Sequence, residues 1–254
     1  MFFERNYIKI GLLAIIGLIA AYNASNAASM VFNTFAEAQN KKLPIYSVDI
    51  PEKKMSISFD AAWGADDTQT LLNILKENDV LATFFMCGYW VDKHPEHVKA
   101  IAEAGHDIAN HGNTHAHGAN LSMEQNKKEI LDCHEKIKTV TGIEANLFRP
   151  PYGEYNNNVI TAAEEAGYYV IQWDVDSHDW MKKGSSYVTG RVLNNKNLKE
   201  GSIVLFHNDA KDTPPVLDSI IKGLKEKGFE LVPISRLIHK ENYYMDHTGR
   251  QKVR

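Results

Sequence analysis

Two histidines four residues apart, His111 and His115, are the side chains best suited to binding a metal ion. If residues 111–115 form a helical turn, both imidazoles project from one face and can share one ion. Closely spaced histidines also occur on solvated helices that bind nothing, and we assign that ordinary role to His94 and His97, which are three residues apart. The pair therefore predicts a metal site only if other reactive side chains converge on it.

Asp60 and His207 each stand at the end of a short apolar run. A carboxylate at the rim of an apolar pocket can serve as a base or a metal ligand, although an aspartate after a strand also commonly caps the next turn. A histidine that ends a strand such as 203–207 is, taken alone, more often a core residue than a catalyst. Neither residue indicates a catalytic site by itself, and other reactive side chains must lie nearby to support one.

Arg149 and the segment 176–180 complete the reactive set. Pro150 and Pro151 follow the arginine and fix an extended exit from the preceding run, which aims its side chain reproducibly. The segment 176–180 places two aspartates beside Trp180, which suits a sugar pocket next to a charged group. The ordinary alternatives are a salt bridge at a sheet end and an acidic loop.

Short apolar runs alternate with amphipathic stretches from residue 54 onward. Strands are predicted at residues 55–60, 81–86, 107–110, 146–149, 168–174, 202–207 and 230–233. Helices are predicted at residues 67–77, 95–104, 123–140, 157–166 and 214–227. This repetition predicts an α/β fold with a parallel sheet, either open or closed as a barrel. Because the carboxyl ends of parallel strands share one face, five strands deliver the reactive residues together.

These segments, in this order, resemble the five motifs of the polysaccharide deacetylase family, the chitooligosaccharide-deacetylase-like carbohydrate esterases. The resemblance implies a distorted seven-stranded β/α barrel. It also implies metal-dependent hydrolysis of acetyl groups from N-acetylglucosamine or N-acetylmuramic acid units of a cell-wall polysaccharide. The segments 59–64 and 173–177 are most similar to the sporulation-associated members of spore-forming bacteria.

The resemblance assigns a role to each residue of the set. Asp60 would be the catalytic base, Arg149 the residue that holds it, His207 the general acid and Asp179 the carboxylate that tunes the acid. Residues that would bind substrate are Tyr152, through a backbone N–H to the oxyanion, and Trp180 and Leu205, which would line the acetate pocket. The metal ligands would be His111 and His115, and the expected ion is zinc.

One position departs from the family pattern. A second aspartate usually follows the base as the third metal ligand, and here that position is Ala61. Asp60 could then coordinate the metal itself, which would make it a poor base, or His117 could donate a third nitrogen. The alternative function is a weakly active or inactive carbohydrate-binding homologue. An amidase or deacetylase that acts on a small molecule is a third hypothesis.

The N-terminus and the composition limit the possible locations and partners of the protein. Arg5 and Lys9 precede an apolar stretch at 10–22, which indicates a signal sequence or membrane anchor within residues 1–32. A linker at 33–53, a catalytic domain at 54–238 and a polar tail at 239–254 would follow. The formal net charge is −4, so the chain lacks the excess of basic residues that is typical of nucleic-acid-binding proteins. We therefore expect an extracytoplasmic protein whose partners are the membrane and a wall polymer.

Cys87 and Cys133 are the two cysteines of the chain. They lie far apart in sequence and form no CxxC pair, so they indicate neither a disulfide framework nor a cysteine zinc site. Cys87 follows the apolar run 81–86 and is predicted to be a core residue.

Overall fold

A computed structural model describes residues 41–254 of the chain. The predicted anchor at 1–32 and the first part of the predicted linker, residues 33–40, lie outside the described residues. Within residues 41–254, none of the helices is both long enough and apolar enough to cross a membrane.

Eleven strands and eight α-helices make up this described part. The strands are β1 (Ser47–Val48), β2 (Lys54–Ala61), β3 (Thr83–Met86), β4 (Asp107–Asn110), β5 (Leu147–Phe148), β6 (Tyr169–Val170), β7 (Val175–Asp176), β8 (Ile203–His207), β9 (Glu230–Leu231), β10 (Tyr243–Met245) and β11 (Arg250–Val253). The helices are α1 (Thr68–Glu77), α2 (Gly88–Lys93), α3 (Pro95–Glu103), α4 (Met123–Thr141), α5 (Asn157–Glu165), α6 (Ser185–Leu193), α7 (Pro214–Glu226) and α8 (Ile234–Leu237).

The main sheet is parallel throughout and follows the order β6-β5-β4-β3-β2-β8-β7. Its seven strands form a half-barrel, with β6 and β7 at the two ends of the order, and the helices cover its outer face. Strand β2 lies near the centre, and seven of its eight residues are buried, as expected for a strand covered on both faces. The predicted distorted seven-stranded β/α barrel is confirmed.

The seven strands are not the seven that the sequence predicts. The predicted strand 168–174 contains only β6, because the chain leaves the β5 side after Val170 and rejoins the sheet beside β8 as β7, which begins one residue beyond the predicted end. In between, the Asp174 carboxylate accepts hydrogen bonds from Ile203 N at 2.9 Å and Ser202 Oγ at 3.0 Å. Strand β9 pairs with the start of β2, off the main path. The predicted number of strands in the main sheet was therefore right, but the predicted set of strands was partly wrong.

The helices follow the local signals in the sequence. Helix α4 begins at a capping box in which Ser122 and Gln125 bond each other's backbone N–H, and it ends at Gly142 in the left-handed conformation. Helices α2, α6 and the four-residue α8 were not predicted. Helix α2 follows β3 with one residue between them, and α6 contains Gly190 and β-branched residues that weaken a helical signal.

A second, three-stranded sheet joins the two ends of the described chain. Strand β1 pairs in parallel with β11, which pairs in antiparallel fashion with β10. The sequence assigned these residues to the linker and the tail and did not predict this sheet. Strands of two to four residues are too short to show a clear periodicity in the sequence.

Candidate active site

A cleft of about 500 Å³ opens at the carboxyl ends of the strands. Its lining includes eight of the nine residues that the sequence singled out: Asp60, His111, His115, Tyr152, Asp179, Trp180, Leu205 and His207. The ninth, Arg149, is fully buried behind the cleft. The structure therefore brings the predicted set together, although the role of each residue stays a prediction.

Asp60 and His207 stand side by side in the sheet. They are register partners between β2 and β8, and neighbouring partners in a parallel ladder direct their side chains to the same face. Asp60 is 5% exposed, and Leu205 is buried two residues before His207. Two ionisable side chains thus share one wall of the cleft.

Arg149 holds the Asp60 carboxylate from behind. Its Nη1 donates to Asp60 Oδ1 at 2.6 Å, and its Nη2 donates to Ser58 Oγ at 2.9 Å. The guanidinium also lies 4.0 Å from the centre of the Phe85 ring. Burial by itself raises the pKa of Asp60, but the charges of Arg149, His111 and His207 outweigh it and lower that pKa. Asp60 is therefore ionised at neutral pH and oriented to accept a proton.

Asp179 holds His207 from the opposite side. Its Oδ1 accepts from His207 Nδ1 at 2.7 Å, and its Oδ2 accepts from His207 N at 2.8 Å and from Thr213 Oγ1 at 2.7 Å. Burial alone lowers the pKa of His207, but the hydrogen bond and charge of Asp179, with smaller contributions from Asp60 and Asp176, raise it. The cleft thus holds an ionised carboxylate beside an imidazole that favours its protonated form.

The histidine segment 111–115 is a loop, so the predicted helical turn is wrong. Gly112 and His115 adopt positive φ angles of 78° and 57°. The N–H groups of Asn113 and Thr114 donate to Glu129 Oε2, at 3.0 and 2.8 Å, in place of helical carbonyls. The two imidazoles nevertheless meet, with ring centroids 5.0 Å apart.

Both histidines have the burial and the hydrogen bonding that suit a neutral metal ligand. His111 Nδ1 donates to the Arg149 carbonyl at 2.7 Å, which leaves the lone pair on Nε2, 3.5 Å from Asp60 Oδ2. Burial is the main cause that lowers the pKa of His111, and it lowers that of His115 to about 4. His115 Nδ1 is buried without a hydrogen-bond partner. An unpartnered buried nitrogen beside a free lone pair fits a divalent metal ion.

The third ligand position does not follow the family pattern. Ala61 is fully buried in the apolar core and carries no donor atom. His117 is exposed, stacks on the Tyr152 ring and bonds the Glu154 carboxylate at 2.9 Å. Among the described residues, Cys87 is the side chain whose ligand atom lies within 4.8 Å of those of both His111 and His115.

Exposed aromatic rings surround the cleft. Trp180 is 58% exposed and Tyr152 is 51% exposed, and Tyr152 adopts a left-handed φ of 60°. Trp63 is 52% exposed, contacts the His115 ring at a centroid distance of 4.8 Å and lines the cleft, although the sequence reading assigned it no role. Its position three residues after Asp60 was the available signal. Such rings can stack on the faces of sugars.

Comparison with known proteins gives the class to which this fold and site belong. A family model described as polysaccharide deacetylase matches residues 47–171. A peptidoglycan-N-acetylglucosamine deacetylase of Bacillus cereus is 38% identical over 194 residues, which cover 74% of this chain and 89% of that protein. The Listeria monocytogenes peptidoglycan-N-acetylglucosamine deacetylase PgdA is 33% identical over 230 residues, or 86% of this chain and 48% of PgdA.

A solved structure extends the comparison. The wild-type Bacillus anthracis protein BA3943, described as a CE4 family pseudoenzyme, superposes with a TM-score of 0.74 at 30% identity, over 78% of this chain and 69% of that one. A BA3943 mutant is described as having restored enzymatic activity. The chain belongs to the polysaccharide deacetylase family.

Proposed function

We propose that this protein removes acetyl groups from N-acetylglucosamine or N-acetylmuramic acid units of peptidoglycan outside the cytoplasm. The observation that carries the proposal is the pairing of Asp60 with His207 on one wall of the cleft. Arg149 holds the first ionised and Asp179 favours the protonated form of the second. When two environments push the pKa values of neighbouring groups in opposite directions, one group is suited to act as a base and the other as an acid.

The reaction is a hydrolysis in which two side chains move the protons. Asp60 takes a proton from the water whose oxygen attacks the acetamide carbon, and the arginine behind it keeps the carboxylate aimed at the cleft. His207 donates its Nε2 proton to the amide nitrogen as the carbon–nitrogen bond breaks. The products are acetate and a free amine on the sugar.

The remaining residues bind and orient. The backbone N–H of Tyr152 would stabilise the oxyanion, and Leu205 and Trp180 would hold the acetyl methyl group at the cleft wall. His111 and His115 would hold a divalent metal, with zinc as the expected ion. When bound, such an ion polarises the carbonyl group and lowers the pKa of a water molecule.

The cell-wall substrate and the location are parts of the same proposal. Relatives named for peptidoglycan deacetylation, including the PdaA protein of Bacillus subtilis, support a wall polymer as substrate. The basic and apolar N-terminal segment supports attachment to a membrane or secretion through it. The likeness of segments 59–64 and 173–177 to sporulation-associated members supports a role during spore formation.

A second candidate is a weakly active or inactive carbohydrate-binding homologue. Ala61 favours it, and so does the structural similarity to a protein described as a pseudoenzyme. Acetate release from purified peptidoglycan and from chitooligosaccharides separates the two candidates. We expect release by the wild-type protein and its loss in Asp60→Asn, with binding to the polymer retained. Polymer binding without acetate release by the wild-type protein would favour the second candidate.

A further inference from the structure

The cleft contains two histidines prepared for a metal and no acidic residue at the position from which the family takes its third ligand. Two neutral imidazoles alone make a weak site, because a structural or catalytic zinc ion usually has at least three protein ligands. The inference below rests on the proposed metal dependence and concerns the side chain that serves as the third metal ligand.

Cys87 occupies the place beside the two histidines. A ligand atom of each residue lies within 4.8 Å of the other two, and all three side chains are buried. His115 provides a second, independent indication that an ion binds here. Its buried Nδ1 has no hydrogen-bond partner, and the residue is only 9% exposed. A buried imidazole nitrogen without a partner indicates a bond to an ion in place of the missing hydrogen bond.

The backbone fixes the cysteine against the histidine loop. Gly88 N donates to Gly112 O at 2.9 Å, and Tyr89 N donates to Asn113 O at 3.0 Å, so the two segments run in contact. A Cβ atom at Gly88 would collide with the Asn113 side chain, and a glycine there permits this approach. The segment that carries Cys87 is therefore held in place before any ion binds.

The thiol itself is weakly engaged. Cys87 Sγ donates to the His111 carbonyl at 3.4 Å, a long bond from a weak donor. Tetrahedral ligands at bond lengths of about 2.0–2.3 Å lie about 3.3–3.6 Å from one another, so ligand atoms that already lie within 4.8 Å need to approach by no more than about 1.5 Å. A thiolate also carries the same single negative charge as the carboxylate that Ala61 lacks.

We propose that Cys87, as a thiolate, is the third protein ligand of the metal held by His111 and His115. On binding, the S–H bond breaks, the metal–sulfur bond forms and the proton passes to solvent. Asp60 Oδ2 lies 3.5 Å from His111 Nε2, but Asp60 is outside the group of mutually close ligand atoms formed by Cys87, His111 and His115. With Cys87 as the third ligand, Asp60 keeps its hydrogen bond with Arg149 and remains free to act as the base. The cysteine thus replaces the missing aspartate without removing the base from the reaction.

X-ray absorption at the zinc edge of the zinc-loaded wild-type chain tests the proposal directly. We expect one sulfur neighbour at about 2.3 Å beside nitrogen neighbours at about 2.0–2.1 Å. Nitrogen and oxygen neighbours alone would overturn the assignment of Cys87 while leaving the metal site in place. A chain that binds no zinc would overturn both this inference and the proposed metal dependence.

Cobalt substitution identifies which cysteine is bound. Cys133 is a matched control, because it is equally buried and its Sγ donates to Met86 O at 3.3 Å. We expect a thiolate-to-cobalt charge-transfer band in the wild type and in Cys133→Ala, and its loss in Cys87→Ala with a fall in metal affinity of more than about 100-fold. A band that persists in Cys87→Ala, or that disappears in Cys133→Ala, would contradict the proposal.

Discussion

Replacing Asp179 by asparagine removes the negative charge that favours the protonated form of His207. The carboxylate accepts three hydrogen bonds, two of them from His207 and one from Thr213. An asparagine can place its one oxygen where Oδ2 lies, but its NH₂ group then faces His207 Nδ1. The imidazole must become an acceptor at that atom, which disfavours the imidazolium and lowers the pKa of His207.

The size of the effect follows from the bond that is lost. The Oδ1 to Nδ1 distance is 2.7 Å, the Asp179 side chain is fully buried and the His207 side chain is 18% exposed. A charge-assisted hydrogen bond of this kind contributes about 1.5–3 kcal/mol, and therefore about 10- to 150-fold in the population of the acid form. A general acid acts when protonated, so activity falls as the pH rises through its pKa. The alkaline limb of kcat/KM for acetate release should move to lower pH in Asp179→Asn.

Thr213→Val is the matched control, because it removes one hydrogen bond from the same carboxylate and leaves the bond to the imidazole intact. We expect it to lower the free energy of unfolding by about 1 kcal/mol without moving the alkaline limb. The reasoning would be refuted by an alkaline limb that stays in place in Asp179→Asn, or by one that moves equally in both variants.

Four further results are expected. His207→Ala should lower kcat by about 100- to 10,000-fold with little change in polymer binding, and unchanged acetate release would remove His207 from the mechanism. Arg149→Met should lower the free energy of unfolding, measured in urea, by about 3–5 kcal/mol, because it leaves the Asp60 charge buried and unpaired; adding Asp60→Asn should restore part of this loss. Ala61→Asp should raise the affinity for zinc, measured by equilibrium dialysis, and an unchanged affinity would show that residue 61 does not reach the ion. The full-length chain should be found with the membrane fraction or outside the cell, and recovery of the full-length protein from the cytoplasm would exclude the role assigned to residues 1–32.

The predicted site depended on where strands end, and that information is local. Asp60 and His207 close apolar runs, and parallel pairing then places them together without any knowledge of their contacts. The joint presence of the motifs also identified the family, because each motif alone has an ordinary structural explanation. The acid and base partners of the cleft were therefore accessible from the sequence.

Contacts that depend on backbone geometry were not accessible. The spacing of His111 and His115 suggested a helical turn, but Glu129, from a distant helix, bonds the loop and sets a different conformation. The sequence predicts that Cys87 is a core residue, and it is indeed fully buried in the core. Only the backbone bonds between segments 88–89 and 112–113 reveal that it stands beside the histidines.

Metal content and acetate release measured on the same sample test the central claim most directly. Wild-type protein is first stripped of metal with a chelator and then titrated with zinc in the presence of peptidoglycan. We predict that acetate release is absent at the start, rises in proportion to bound zinc and reaches its plateau at one ion per chain. Acetate release by the stripped protein, or one bound ion without any release, would contradict the account.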